Sequence, residues 1–196
     1  MTEQEKYEAM YSIEEYRVVS PGFSRVRPFR DRFLKGGETI IDVGCGPGRA
    51  GKWLYDHGHT VYLLDIAGNC LDEEVRKSLN DDLVFIRADI THLSDGVRKL
   101  LPVADFIYCF DVMEHLPTED IPKALDAMRS LAYSAYFQIS GVADGCGRLI
   151  GETLHLTVKP REWWASMLIR YWPEVVDINP ENKGSSYQFY CARVRP

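Results

Sequence analysis

Residues Glu38–Leu54 read ETIIDVGCGPGRAGKWL, and this stretch decides the fold. Glu38–Val43 is a β-branched run of strand type, and Arg49–His57 has helical character. Gly44, Gly46 and Gly48 fill the turn between them, with Gly51 one turn further on. A strand that passes through glycines straight into a helix is the opening unit of a βαβ sheet, with a ligand seated at the helix N-terminus. Two glycine patterns overlap here. Gly46, Gly48 and Gly51 satisfy G-x-G-x-x-G, a dinucleotide fingerprint. Asp42, Gly44, Gly46 and Gly48 satisfy D-x-G-x-G-x-G. The carboxylate discriminates: at the strand exit Asp42 repels a pyrophosphate and suits a ligand carrying a positive amino group. Gly44 and Gly46, having no Cβ, let the backbone approach that ligand closely.

Outward from this unit the pattern repeats. Strand-like runs fall at Thr60–Asp65, Leu83–Ala88, Ala104–Asp111 and Tyr133–Ser140. Between them lie helical stretches at Ala67–Asn80, a short one near Val97–Leu101, and Glu119–Leu131, with Lys159–Tyr171 after the fifth strand. Such alternation means βαβ crossovers and a mostly parallel, doubly wound sheet. The last two runs, Val175–Ile178 and Tyr187–Val194, are joined by ENKGSS, too short for a crossover helix. They are expected to pair as an antiparallel hairpin at the end of a seven-stranded sheet. Residues 1–35 hold two polar, Arg-rich helices and no strand signal, and are expected to form a helical lid on a Rossmann-like α/β domain spanning 36–196.

Composition excludes several classes. A chain of 196 residues suits one full α/β domain. No apolar run approaches the roughly 18 residues of a spanning helix. The N-terminus, MTEQEKYEAMYS, is polar and acidic, the opposite of a signal peptide, so a cytoplasmic location and no membrane are expected. Twenty-three Lys and Arg against 29 Asp and Glu give a net charge of −6, which disfavours a nucleic-acid partner. Arg17, Arg25, Arg27, Arg30, Arg32 and Lys35 crowd one segment, either as a solvated helical face or as a lid meeting an anionic group. The five cysteines form no C-x-x-C pair, Cys109 and Cys191 read as core, and no metal is expected.

The second strand ends in Asp65, placed to accept the hydroxyls of a ribose, and the third in Asp89, which can meet the exocyclic amine of adenine or cap the next turn. A ligand with ribose, adenine, an amino group and no phosphate is S-adenosylmethionine. Here the chain resembles the class I S-adenosylmethionine-dependent methyltransferases over roughly residues 36–140. IIDVGCGPG is similar to their first motif, LLDI to the acidic second-strand motif and RADI to the adenine-side motif. FDVMEHLP resembles the segment after strand four in small-molecule enzymes of the ubiquinone- and menaquinone-biosynthesis type. The resemblance implies that Asp42, Gly44, Cys45, Gly46 and Gly48 surround the methionine part and Asp65 holds the ribose. It further implies that Ile66 packs on adenine, Asp89 and Ile90 flank its amine, and Phe110 lies near the cofactor. Ile66 and Phe110 read equally well as core.

The acceptor side rests on thinner signals. The segment after strand four lacks the proline pair of enzymes acting on DNA-base amines, and Cys109 lacks the preceding proline of a cytosine-C5 nucleophile, so a small-molecule or glycan-like acceptor, methylated on oxygen or nitrogen, is expected. A long glycine-rich segment, residues 141–158, follows the fifth strand, where open α/β sheets bind ligands. His155 closes it, placed as a general base for a hydroxyl or as a structural histidine. His115 packs near the cofactor or caps its turn, while His57, His59 and His92 read as solvated. Of Trp163 and Trp164 only one can face the core, leaving the other to wall a pocket. Arg17 or Arg25 can pair with the methionine carboxylate. Alternatives on the same scaffold are cofactor cleavage, transfer of another group, or a non-catalytic binding module.

Overall fold

The computed structural model describes residues 1–182 and 186–193. Its seven strands are β1 (Thr39–Val43), β2 (Thr60–Asp65), β3 (Leu83–Arg87), β4 (Ala104–Phe110), β5 (Ala132–Ser140), β6 (Glu174–Asp177) and β7 (Ser186–Ala192). They form one sheet in the order β3-β2-β1-β4-β5-β7-β6. The first five are parallel, as the apolar, β-branched runs require when both faces are covered by crossovers. β7 pairs antiparallel with both β5 and β6. The terminal hairpin is therefore present, with its second strand inserted beside β5. Val194 and residues 183–185 of the connecting turn lie outside the described residues.

The helices are α1 (Glu3–Tyr11), α2 (Glu14–Arg17), α3 (Val26–Phe33), α4 (Arg49–Asp56), α5 (Glu73–Lys77), α6 (Asp95–Leu100), α7 (Ile121–Leu131) and α8 (Arg161–Leu168). α1 starts on a capping box between Thr2 and Glu5. Ile121, Ala124, Leu125 and Met128 of α7 repeat at helical spacing and are buried. One core fills the face carrying α7 and α8, with Trp164 and Trp172 fully buried in it. A second core lies on the opposite face, under α3 and α4.

Two expectations need correcting. The helix read over Ala67–Asn80 shrinks to the five residues of α5. Arg17 bonds the carbonyls of Asn69 and Leu71, and the Asp72 N–H donates to the Pro47 carbonyl, so tertiary partners hold residues 69–72 off the helix. Leu71 and Val75 still pack inward, their methyl groups filling the space where a Cβ on Gly48 would stand. His59 is buried, not solvated: its Nδ1 lies 3.1 Å from Glu38 Oε2, and burial lowers its pKa despite that carboxylate. His57, stacked on Trp53, and His92 remain exposed.

The strand order reverses between β1 and β4, which opens a crevice at their C-terminal ends. Everything the sequence singled out around Asp42, Asp65 and Phe110 belongs to that edge.

Candidate functional site

The loop after β1 shapes the floor of the crevice. Gly44, Gly46 and Gly48 adopt φ of 67°, 52° and 78°, the left-handed region that glycine enters without strain. A Cβ on Gly44 would collide with Val112, and one on Gly46 would stand 2.8 Å from the Tyr11 hydroxyl. Gly48 serves another purpose: it begins α4 and faces the side chains of Leu71 and Val75, away from the crevice.

Two adjoining compartments occupy the crevice. The first is an apolar slot between Ile66, Ala88, Ile90 and Leu116, with Asp65 and Asp89 at its edges. The second is bounded by Asp42, Cys45, Gly46, Phe110, Asp144 and His155. Gly44, Asp111, His115, Tyr11 and Tyr16 line both.

The two buried carboxylates differ in their partners. Asp65 accepts the N–H groups of Gly46 and Ala67 at 2.9 Å each, and burial still pushes its pKa up to about 6. With a further N–H from Ile66, it ties the glycine loop to β2. Asp42, at 4 % exposure, accepts from the Gly51 N–H, yet its Oδ2 has no partner, and burial raises its pKa to about 7. Asp42 borders the second compartment, where its negative charge suits a cation. Asp89 is more exposed: its Oδ1 accepts from Thr91 N–H and hydroxyl at 2.8 and 2.6 Å, so it caps its own turn while bordering the slot. Together, the apolar slot bordered by Asp65 and Asp89 and the adjoining compartment bordered by Asp42 fit a nucleoside joined to a positively charged amino-acid tail.

Around the second compartment, His155 Nδ1 lies 2.6 Å from the Val142 carbonyl. A carbonyl only accepts, so Nδ1 carries the hydrogen and Nε2 of the neutral ring keeps its lone pair. His115 meets His155 edge-on with ring centroids 4.6 Å apart, and its Nδ1 lies 2.7 Å from the Tyr7 hydroxyl. Burial, aided by His155, lowers the His115 pKa to about 3, so this ring stays neutral. Glu114 is fully buried, its Oε1 accepting the Ser140 N–H at 2.9 Å. Donor atoms of Glu114, His115 and His155 come within 4.8 Å of one another, as do those of Cys45, Asp65 and Cys70. Both Asp65 oxygens already hold backbone N–H groups, and both histidines have Nδ1 engaged.

Sequence reasoning missed the tyrosines. Tyr7, Tyr11 and Tyr16 reach the compartments from α1 and α2, and burial raises the pKa of all three, so they act as neutral hydroxyls. The i, i+4 spacing of Tyr7 and Tyr11 was a usable signal. The arginine pairing needs correction. Arg17 is committed to the Tyr11, Asn69 and Leu71 carbonyls and to Asp72, and Arg25 faces solvent. Arg27 and Arg32 are exposed as well, the solvated-face reading of this segment. Trp164 is the tryptophan that enters the core, and Trp163 lines neither compartment.

A seven-stranded sheet of this order, with its crevice at a glycine loop followed by two acidic strand tips, defines a class I methyltransferase domain. The family described as "Methyltransferase domain" matches residues 18–179, and the chain belongs to it. This family takes its methyl group from S-adenosylmethionine.

Among curated proteins, the chain is 28% identical over 96 residues to the magnesium-protoporphyrin O-methyltransferase of Synechocystis sp., 49% of this chain and 41% of that one. It is 26% identical over 88 residues to the mitochondrial ubiquinone biosynthesis O-methyltransferase of Schizosaccharomyces pombe, 45% of this chain and 32% of that one. The matched stretches thus span less than half of either relative. The crystal structure of magnesium protoporphyrin IX methyltransferase from Synechocystis, with bound S-adenosylhomocysteine, superposes with a TM-score of 0.63 at 18% identity, covering 96% of this chain and 84% of that one. At that identity the likeness concerns the fold.

Proposed function

We propose that this chain transfers a methyl group from S-adenosylmethionine to a small-molecule acceptor, on oxygen or nitrogen, with a hydroxyl as the group its site suits best. The observation that carries the reading is the His155 ring on the wall of the second compartment. Its Nδ1–H is fixed on the Val142 carbonyl and its Nε2 is free to take a proton. The cofactor supplies a methyl group made electrophilic by its sulfonium sulfur. Asp65 is the residue for the ribose, Ile66 and Ile90 are the faces for adenine, Asp89 stands by its amine, and Asp42 with the Gly44–Gly46 backbone receives the amino-acid tail. Gly48 supports this cradle through the packing of α4. Cys45 and Phe110 complete the wall of the second compartment.

The helical segment 1–35 acts as the lid. α1 lays Tyr7 over the first compartment and Tyr11 over both, and Arg148 pairs with Glu15 of α2 at 2.9 Å, joining the lid to the glycine-rich segment that carries His155. Between lid and segment the acceptor meets the rings of Tyr16, Tyr108 and Phe110, together with Val19. An acceptor with an apolar or aromatic body and one reactive hydroxyl matches that lining. The two curated relatives, both named as O-methyltransferases, support oxygen as the acceptor atom.

The test has two stages. Calorimetry with S-adenosylmethionine, S-adenosylhomocysteine and NAD separately should give binding for the first two alone. Methyl-labelled cofactor is then offered with a panel of hydroxylated and amino-bearing small molecules, and label should appear in a hydroxylated one. Consumption of cofactor without acceptor would establish cleavage instead, and tight binding with no turnover on the panel would favour a binding module.

A further inference from the structure

Inside the sheet, among apolar neighbours, runs a line of uncharged polar side chains that the methyl-transfer chemistry does not call for. The Tyr136 hydroxyl donates to Gln188 Oε1 at 3.0 Å. Gln188 Nε2 donates to Gln138 Oε1 at 3.1 Å, and Gln138 Nε2 donates to both oxygens of Asp111 at 3.3 and 3.2 Å. Gln138 and Gln188 are 8 % and 6 % exposed. Buried polar groups are expensive unless satisfied, so three of them in series call for an explanation. The amide orientations all run one way: the Gln138 nitrogen faces both oxygens of Asp111. The Gln138 oxygen then receives the Gln188 nitrogen, and the Gln188 oxygen receives the tyrosine hydroxyl. Every hydrogen in the relay is aimed toward Asp111.

The backbone holds Asp111 as firmly. It is the one non-glycine residue with positive φ among those described, at 52°, and its N–H donates to the Gln138 carbonyl at 2.9 Å. Gln138 therefore grips Asp111 through both main chain and side chain, at a position shared by the two compartments. Beside it stands Glu114, whose Oε1 accepts the Ser140 N–H and whose buried carboxyl is in hydrogen-bond contact with Asp111. The groups facing this carboxyl pair are His155 and His115, Cys109, Tyr7 and Tyr108.

We propose that the relay assigns the charges of this pair: Asp111 is the carboxylate, Glu114 carries the proton, and Gln138 and Gln188 are positioning residues that act through Asp111 on the base His155. This rests on the reading of His155 as base. In the step concerned, the acceptor O–H bond breaks, the proton binds His155 Nε2, and the electron pair stays on the acceptor oxygen. His155 becomes a cation, and the fixed negative charge of Asp111 balances it within the desolvated compartment. One amide donor shared by both oxygens of Asp111, and a second buried carboxyl in hydrogen-bond contact with it, are the pattern expected when a pair shares a single proton. Burial and mutual repulsion raise the pKa of both groups, in keeping with that division.

The experiment is infrared difference spectroscopy of the full chain with ¹³C-carboxyl-labelled Asp and Glu at pH 7, read alongside kcat and KM. The Glu label should show a buried protonated band in the wild type, which Glu114→Gln removes and Asp111→Asn leaves. The Asp label also reports Asp42, which titrates near this pH, so Asp111 is read from the difference between variants. Gln138→Met, which keeps the shape and deletes the donors, should add a second protonated band as Asp111 takes up a proton, and should lower kcat about tenfold with little change in acceptor KM. Gln188→Met should act in the same direction more weakly, and melting curves show that each variant is folded. The proposal is overturned if the wild type has no protonated Glu band, if Asp111→Asn rather than Glu114→Gln removes it, or if Gln138→Met alters neither spectrum nor kcat. Failure of the His155 reading looks different: His155→Ala stays active while the spectra still assign the proton to Glu114.

Discussion

Asp42→Asn separates what this site does for stability from what it does for binding. Asp42 is buried, its Oδ2 is unpartnered, and its pKa rises from 3.8 to about 7, chiefly through burial. The folded chain thus holds that proton more tightly than the unfolded chain. Stability is lost as pH rises from 3.8 through about 7 and is constant above. At about 1.4 kcal/mol per pH unit, the penalty at pH 8 is at most about 4 kcal/mol. Asparagine removes the charge, keeps an oxygen for the Gly51 N–H, and introduces an amide donor whose own desolvation costs about 1–3 kcal/mol. The expected net gain at pH 8 is about 1–3 kcal/mol, which for a domain of this size raises Tm by about 3–10 °C. At pH 4 the charge is absent in both proteins and the gain should vanish or reverse. Thermal melts at both pH values, each with and without S-adenosylmethionine, provide the assay. The cofactor-induced rise in Tm should be strongly reduced in the variant, because the seat for the positive tail is gone. Equal melting of the two proteins at pH 8, or an undiminished cofactor shift, would refute the reasoning.

Three further outcomes are expected. Asp65→Ala should weaken cofactor binding by about 1.5–3 kcal/mol in calorimetry, since it deletes the ribose partner and frees the Gly46 and Ala67 N–H groups that hold the loop; unchanged affinity would remove Asp65 from the cofactor site. Gly46→Val sets a branched side chain at φ 52° against the Tyr11 hydroxyl, so binding should be abolished while circular dichroism stays native-like, and normal binding would mean the loop is no cradle. His155→Ala should leave cofactor affinity intact and cut turnover by about 10²–10⁴, whereas a raised KM alone would make His155 a binding residue.

The strands were legible because each parallel strand is a short apolar, β-branched run bounded by polar or glycine residues, and the chain's own order of such runs implies the crossovers. The loop of Gly44–Gly48 and the acidic tips Asp42 and Asp65 were legible for the same reason: local geometry requires those residue types there. The failures all come from partners distant in sequence. Periodicity in 67–80 is real, but Arg17 captures the carbonyls that a helix needs. His59 reads as a turn residue until Glu38, just before β1, is beside it. The meeting of Asp111 and Glu114 with His155 cannot be seen along the chain, since the residues between them occupy a helix, a strand and a long loop. A hint did exist in Gln138 and Gln188, each a polar residue set inside an apolar strand.

The insertion of β7 beside β5 has a consequence for how the molecule assembles. All the residues assigned to the cofactor lie before α7, on or just after strands that pair in parallel. Gln188 arrives 50 residues after Gln138, and only when the last strand slides between β5 and β6 is Asp111 fully gripped. The contact that completes the relay is therefore made by the last described strand, and the hairpin must be in place before Gln138 is held from both sides.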